Sequence, residues 1–273
     1  MDQHEVWGGL VGDAWVTFAD QLDAHTAPFG IAAMDALGSI DGATVLDVGC
    51  GTGITTLDLA DRVGASGHVT GADFSEPMIA RARTRAVDRT GVSFIVGDVL
   101  ELDLDSPVDV VFSRFGVMFF DDAVAAFARL RSFTRDGGRL AFAAWSDPFS
   151  NPWMLTPVMA SIPVLGPPEI PAPGTPGPFS LAGPDVLETT LSAAGWSAVE
   201  VTELALDLPM AAGGAAAMAA MVCTTNPILA AGLQPAPERR AEVEALVTEA
   251  LEPHERDGVV VLAAAALIAS ARA

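Results

Sequence analysis

A chain of 273 residues with 14 basic and 35 acidic side chains carries a formal net charge of −21, and with 51% hydrophobic residues it can bury a large core. That charge repels phosphate backbones and anionic lipid, so neither nucleic acid nor a membrane is an expected partner. The absence of lysine and tyrosine excludes Schiff-base chemistry, a lysine-bearing phosphate loop and a phenolic acid or base; two cysteines and four histidines, at no zinc-like spacing, predict no metal site.

The opening Met1-Asp2-Gln3-His4-Glu5 lacks the basic and apolar regions of a signal peptide. The apolar run Val259–Ala269 falls short of the roughly 20 residues that span a bilayer, so a cytoplasmic location is expected. Residues 1–40, with Trp7, Trp15, Phe18 and Phe29, form a flanking element ahead of the main pattern. From Val45 to about Leu206 short apolar runs alternate with helical patterns, the signature of a βαβ array. Strands are predicted at Thr44–Val48, His68–Ala72, Val92–Val96, Val108–Phe112 and Arg139–Trp145, with helices at Thr52–Val63, Glu76–Asp88 and Asp121–Thr134 between them. Ser75 before Glu76-Pro77 reads as an N-cap, and Asp136-Gly137-Gly138 as the turn into the fifth strand. A later helix, Gly183–Ala194, stops at Gly195, and a strand from Trp196 to about Leu206 follows.

Two segments break this rhythm. One, from Ser146 to Ser180, is crowded with proline and holds Trp153 and Met154. The other, from Met210 to Pro253, is rich in alanine and methionine (Met210, Met218, Met221) and is predicted to form two or three helices. Long segments inserted into a compact array are usually lids or binding loops.

The chemistry concentrates in Thr44-Val-Leu-Asp47-Val-Gly49-Cys50-Gly51-Thr-Gly53. A buried strand here ends in a bend with little side chain, where a ligand can touch backbone at a helix N-terminus. The spacing Gly-x-Gly-x-Gly differs from the Gly-x-Gly-x-x-Gly of dinucleotide folds, and Asp47 at the strand end suits a cationic group such as an ammonium. Acids recur at the next strand ends: Asp73, suited to ribose hydroxyls, and Asp98, able to accept from an exocyclic amine. Cys50 reads as a small loop residue rather than a reactive thiol. Arg81, Arg85 and Arg89, at four-residue spacing, read as a solvated helix face.

These features resemble the class I S-adenosylmethionine-dependent methyltransferases, in particular small-molecule members similar to ubiquinone/menaquinone C-methyltransferases. The resemblance rests on Val45–Gly53, Gly71-Ala-Asp-Phe-Ser-Glu-Pro-Met78, Gly97-Asp98-Val99 and Asp109–Val117. It implies a doubly wound, mostly parallel seven-stranded α/β sheet, with Gly258–Ala271 as the final antiparallel strand. The chain would divide into a helical cap (1–40), a cofactor-binding core (41–145), a proline-rich lid (146–182), a core continuation (183–209), a helical lid (210–257) and the last strand (258–273). Gly49, Cys50, Gly51 and Gly53 would lie under the methionine part of S-adenosylmethionine, with Asp47 near its amino group. Asp73 would bind the ribose hydroxyls, Phe74 and Met78 would flank the adenine, and Asp98 and Val99 would meet its amine and face. Ser113 and Arg114 would border the methionine end, with Phe115 beside the methyl donor.

The expected reaction is methyl transfer to a small, mostly apolar acceptor, such as a polyketide, terpenoid, quinone or modified peptide. Its candidate lining is Trp15, Phe29, Met118, Phe119, Trp153, Met154 and Met221. His25 and His254, in the flanking elements, are the candidate histidine bases; His68 begins a strand away from the ligand side. The alternative is a protein that binds the cofactor without transferring methyl, for regulation or for a cyclisation or rearrangement. A nicotinamide dehydrogenase fits less well, given the glycine spacing and the absence of a Tyr-x-x-x-Lys pair.

Overall fold

In the computed structural model, which describes residues 7, 9–104, 106–169, 172 and 174–273, the predicted apolar runs become neighbouring strands of one sheet. They are β1 (Thr44–Val48), β2 (His68–Asp73), β3 (Val92–Val96), β4 (Val108–Arg114), β5 (Thr134–Trp145), β6 (Ser197–Ala212), the two-residue β7 (Glu255–Arg256) and β8 (Val259–Arg272). Their order is β3-β2-β1-β4-β5-β8-β6, with β7 paired to β8. The pairs among β1 to β5 are all parallel, and β8 runs antiparallel to both β5 and β6. The seven long strands thus make the mixed, mostly parallel sheet that the motif order implied. Leu46, Phe112, Leu140 and Phe142 are sealed in its core, as expected for central strands covered on both faces.

The chain leaves β1 toward β2 and β3 on one side and returns to build β4 and β5 on the other. The order therefore reverses between β1 and β4, and the crevice beyond their C-terminal ends is where such sheets bind ligands. Helices α3 (Ile54–Val63), α4 (Glu76–Arg85), α5 (Ala123–Phe133) and α7 (Pro184–Ala193) connect the strands, and α1 (Leu10–Thr17) and α2 (Ala19–Ala36) precede them. The first residues of the expected cap, His4 among them, lie outside the described residues.

Local expectations met some corrections. Ser75 is the N-cap of α4 by position, but its hydroxyl donates to the carbonyl of Trp7 instead of capping. The fifth strand begins at Thr134, five residues earlier than predicted. Thr134 pairs with Val108 and Arg139 with Val110, so the Asp136-Gly137-Gly138 turn survives as a bulge, with Gly137 at φ 73°. The proline-rich segment contains a fourteen-residue helix, α6 (Pro152–Leu165), although Pro157 and Pro163 lie inside it. Pro152 at its first position suits a helix start, and packing against α10 (Arg240–Leu251) and β8 holds the rest. The other insertion forms α8 (Gly214–Thr225), α9 (Pro227–Leu233) and α10. Among the described residues no single helix is long and apolar enough to cross a membrane; α8 and α9 meet at a 78° bend.

Asn151 clamps the proline-rich insertion to the sheet. Fully buried, it donates from Nδ2 to the carbonyls of Asp147 and Ala265, and its Oδ1 accepts from Ala265 N–H and Trp153 Nε1. Asn151→Ala would leave the buried Ala265 N–H without a partner, while the Ala265 and Asp147 carbonyls keep the N–H groups of Ser146 and Ser150, at a cost of about 2 kcal/mol. Denaturant unfolding should register that loss; a variant as stable as the parent would contradict the clamp.

Candidate functional site

The ends of β1 and β4 approach closely enough to exclude side chains. Gly49 adopts φ 64°, and a β-carbon there would lie 2.9 Å from Cα of Gly116; one on Gly116 would lie 2.7 Å from the Val48 carbonyl oxygen. Ser113 fixes this approach: its Oγ donates to the Val48 carbonyl at 2.8 Å and accepts from Gly116 N–H at 3.1 Å. Gly51 is held by its N–H, which donates to Asp73 Oδ2 at 2.9 Å, while the space over its Cα is open except for Met78 Sδ at 3.8 Å. Such a backbone surface admits a ligand. Gly53 serves packing instead, since a β-carbon would lie 2.7 Å from Cβ of Ala82.

Two cavities open on either side of this bend. The larger, about 630 Å³, is lined by Asp73, Phe74, Asp98, Val99 and the residues following β4. The smaller, about 170 Å³, is walled by Trp15, Phe115, Met118, Phe119, Trp145, Trp153 and Met154. They share Gly49, Asp73, Phe74, Gly116 and Phe119, so one elongated ligand can pass from one to the other. Asp73 holds the boundary with both oxygens engaged, Oδ2 by Gly51 N–H and Oδ1 by Ser75 N–H at 2.8 Å. Burial raises its pKa, against the lowering effect of those two bonds. Asp98 accepts from Leu100 N–H, capping the turn that follows β3.

The aromatic wall is built around Phe115. Its φ of 62° is rare for a side chain other than glycine, and strain of this kind gathers at functional sites. Phe115 stacks on Trp145 at 3.8 Å between ring centres, and Trp153 lies tilted to Trp145 at 5.1 Å.

Beneath the aromatic cavity lies an ion cluster. Arg114 donates from Nη2 to Asp23 Oδ1 at 2.6 Å, and Arg85 from Nη1 to Asp23 Oδ2 at 2.7 Å. Thr52 joins Asp23 and Arg85 to the glycine loop, donating to Asp23 Oδ2 and accepting from Arg85 Nη1. Arg85 therefore departs from the solvated reading of its helix face: its side chain is 12% exposed, against 40% for Arg81 and 37% for Arg89.

Several expected site residues stand behind the cavities rather than in them. Asp47 is fully buried; its Oδ2 accepts from the hydroxyls of Thr55 at 2.9 Å and Thr56 at 2.7 Å, and its Oδ1 has no partner. Thr55 lines the cavity in its place, its hydroxyl proton committed to Asp47. Phe29 is sealed in the core, meeting Phe115 and Trp145 edge-on. Met221 is buried beside the cavity, which Val222 lines instead. Ser113 and Gly53 shape the loop from below. Neither candidate base lines a cavity. His25 is buried on α2 with neither ring nitrogen hydrogen-bonded, and burial lowers its pKa despite the opposing Met210 and Pro209 carbonyls. His254 is exposed after α10. Cys50 does line the aromatic cavity, but burial raises its thiol well above the usual range, as an inert thiol requires. Lining residues that sequence reasoning missed include Asp23, Thr55, Trp145, Thr225 and Asn226. The motif's next helical turn pointed at Thr55, while the others depend on tertiary contacts.

Comparison with known proteins agrees with this architecture. Residues 45–138 match the model of a family described as a methyltransferase domain. The nocamycin O-methyltransferase of Saccharothrix syringae is 31% identical over 230 residues, covering 80% of this chain and 81% of that protein. The demethylmenaquinone methyltransferase of Beutenbergia cavernae is 38% identical over 123 residues, 45% of this chain, and the match spans about half of that protein's length, 48%. The solved YcgJ protein of Bacillus subtilis shares the fold with a TM-score of 0.56 at 16% identity, over 91% of this chain and 98% of that one. The chain belongs to the S-adenosylmethionine-dependent methyltransferases, and S-adenosylmethionine is the cofactor of that family.

Asp47 supplies a pH test of the site. Burial raises its pKa from 3.8 to about 6, against the hydroxyls of Thr56 and Thr55. Between those values the folded chain holds a proton that the unfolded chain has released, so this group's contribution to stability falls as pH rises from about 4 to 6. Asp47→Asn lacks that ionisation. Its stability relative to the parent should therefore rise by an amount on the order of 2 kcal/mol between pH 4 and 7. Denaturation curves across that range check this; a difference independent of pH would contradict it.

Proposed function

We propose that this protein transfers the methyl group of S-adenosylmethionine to a small, largely apolar, planar acceptor. The observation that carries the reading is the junction of two unlike cavities at a bare backbone bend, one edged by carboxylates and the other walled by aromatic rings. Such a junction fits a molecule with a nucleoside at one end and a cationic, reactive centre at the other. When bound, S-adenosylmethionine supplies a sulfonium-activated methyl group.

The residues present fit that cofactor. Asp73, at the boundary, would hold the ribose hydroxyls with lone pairs not used by Gly51 and Ser75. Phe74, Asp98 and Val99 would receive the adenine, and the open backbone of Gly51 the chain beyond the ribose. Asp47 would act through Thr55: a hydroxyl whose proton is committed to a carboxylate presents its lone pairs to the cavity, as an ammonium needs. Phe115, which lines the cavity, has one face turned away from Trp145, and an aromatic face attracts a positive centre by cation–π interaction.

Residues from 1–40, 146–182 and 210–257 all contribute to the aromatic cavity, which supports reading these segments as the cap and two lids over the acceptor. Excluding water and aligning the acceptor atom is then the protein's main task, and alignment alone is worth many orders of magnitude in rate. The absence of both candidate histidines from the cavity lining is consistent with a reaction driven by positioning. Two relatives bear names of small-molecule methyltransferases, one for demethylmenaquinone and one for nocamycin, and both support this acceptor class.

Titration calorimetry with S-adenosylhomocysteine tests the cofactor half of the reading. Asp73→Asn removes charge-assisted bonds and should weaken binding about 10- to 100-fold. A panel of planar phenols and quinols, scored for S-adenosylhomocysteine release, tests the transfer half. Absence of binding by the parent, or equal binding by Asp73→Asn, would contradict the assignment.

A further inference from the structure

Asn226 sits at the bend between α8 and α9, is only 8% exposed, and lines the aromatic cavity. Its Oδ1 accepts from the N–H groups of Ile228 at 3.0 Å and Leu229 at 3.3 Å, capping α9. Those two bonds fix which end of the amide is oxygen, because only the oxygen can accept. The Nδ2 group is left with two N–H donors and no partner among the described residues. It is not sealed off as the ring nitrogens of buried His25 are. The bend itself is held in place, since Trp15 Nε1 donates to the Thr225 carbonyl at 3.1 Å.

Three neighbouring donors in the same wall are already committed. The hydroxyls of Thr26 and Thr225 donate to carbonyls of their own helices, those of Leu22 and Met221. The indole of Trp153 donates to Asn151. Trp145, in the same wall, also has an indole N–H with no partner among the described residues. An apolar wall with spare donors is suited to a ligand oxygen that only accepts. A hydroxyl can meet such a donor too, but a carbonyl or oxyanion meets it better.

We propose that Asn226 positions the methyl acceptor by donating from Nδ2 to a carbonyl or enolate-type oxygen, and so selects planar apolar acceptors that carry one. This deepens the functional reading above and rests on it. The cap and the donor are separable by mutation: Asn226→Ser keeps an N-capping oxygen, but its short hydroxyl does not reproduce the amide donor. Asn226→Asp keeps the cap as well and adds a charge favourable to a helix start.

The test is calorimetry on the full chain saturated with S-adenosylhomocysteine, using two probes of similar size. One is 2-hydroxy-1,4-naphthoquinone, which carries carbonyls beside an acidic enol, and the other is 2-naphthol, which has no carbonyl. The parent should prefer the quinone. Asn226→Ser and Asn226→Asp should each weaken it tenfold or more, leave 2-naphthol and S-adenosylhomocysteine within about twofold for the serine variant, and melt near the parent. Unchanged quinone binding by the serine variant, an equal loss of both probes, or a parent without preference would overturn the proposal. Failure of the parent to bind S-adenosylhomocysteine is a separate result: it would overturn the cofactor reading and, with it, this proposal.

Discussion

Two strand ends meet with no room between them for a β-carbon. Gly49 and Gly116 both give up their side chains so that β1 and β4 can converge, and Ser113 bonds to each side of the approach. Everything else at the site follows from that convergence. It brings the turn after β1 beside the turn after β4, at the point where strand order reverses. The acids at the ends of β2 and β3 then face one side of the bend, and the aromatic residues after β4 and β5 face the other. A side chain at either glycine would push the turns apart and fill the passage between the cavities.

Helix α2 is joined to this centre by charge. Asp23, on α2, bonds two arginines from different parts of the core, Arg85 on α4 and Arg114 at the end of β4. The side chains of Asp23 and Arg114 are 14% and 12% exposed, so the pair is largely withdrawn from solvent. Buried ion pairs add little net stability, yet losing one partner leaves an uncompensated charge. The cluster therefore fixes α2 against the core more than it adds to stability. Because Thr52 belongs to both the cluster and the glycine loop, a shift of α2 and a shift of the loop are mechanically linked.

Much of the core was legible because its signals are local. The five-residue strands Thr44–Val48 and Val92–Val96 match their apolar runs, and the loop glycines and the acids Asp73 and Asp98 announce themselves by spacing alone. The proline-rich helix α6 was hidden, because its prolines argue against a helix that tertiary packing nevertheless holds. Site residues joined only by the fold were equally silent. Asp23 and Arg114 are 91 residues apart in sequence, and no periodicity links them. Asp47 was read as a ligand contact because an acid beside a glycine loop suggests one; the fold instead turns it inward, onto Thr55 and Thr56. The methionines and Phe29 were ambiguous for a different reason, since apolar side chains of one composition serve core and pocket alike.

The central claim is that one elongated ligand bridges the two cavities across the Gly49–Gly116 bend. A crystal structure of the chain grown with S-adenosylhomocysteine tests it most directly. The account predicts adenine beside Asp98 and Val99, the ribose at Asp73, and the sulfur on the Phe115 side of the bend. Adenosine lodged among the aromatic rings, or a ligand bound away from the bend, would contradict it.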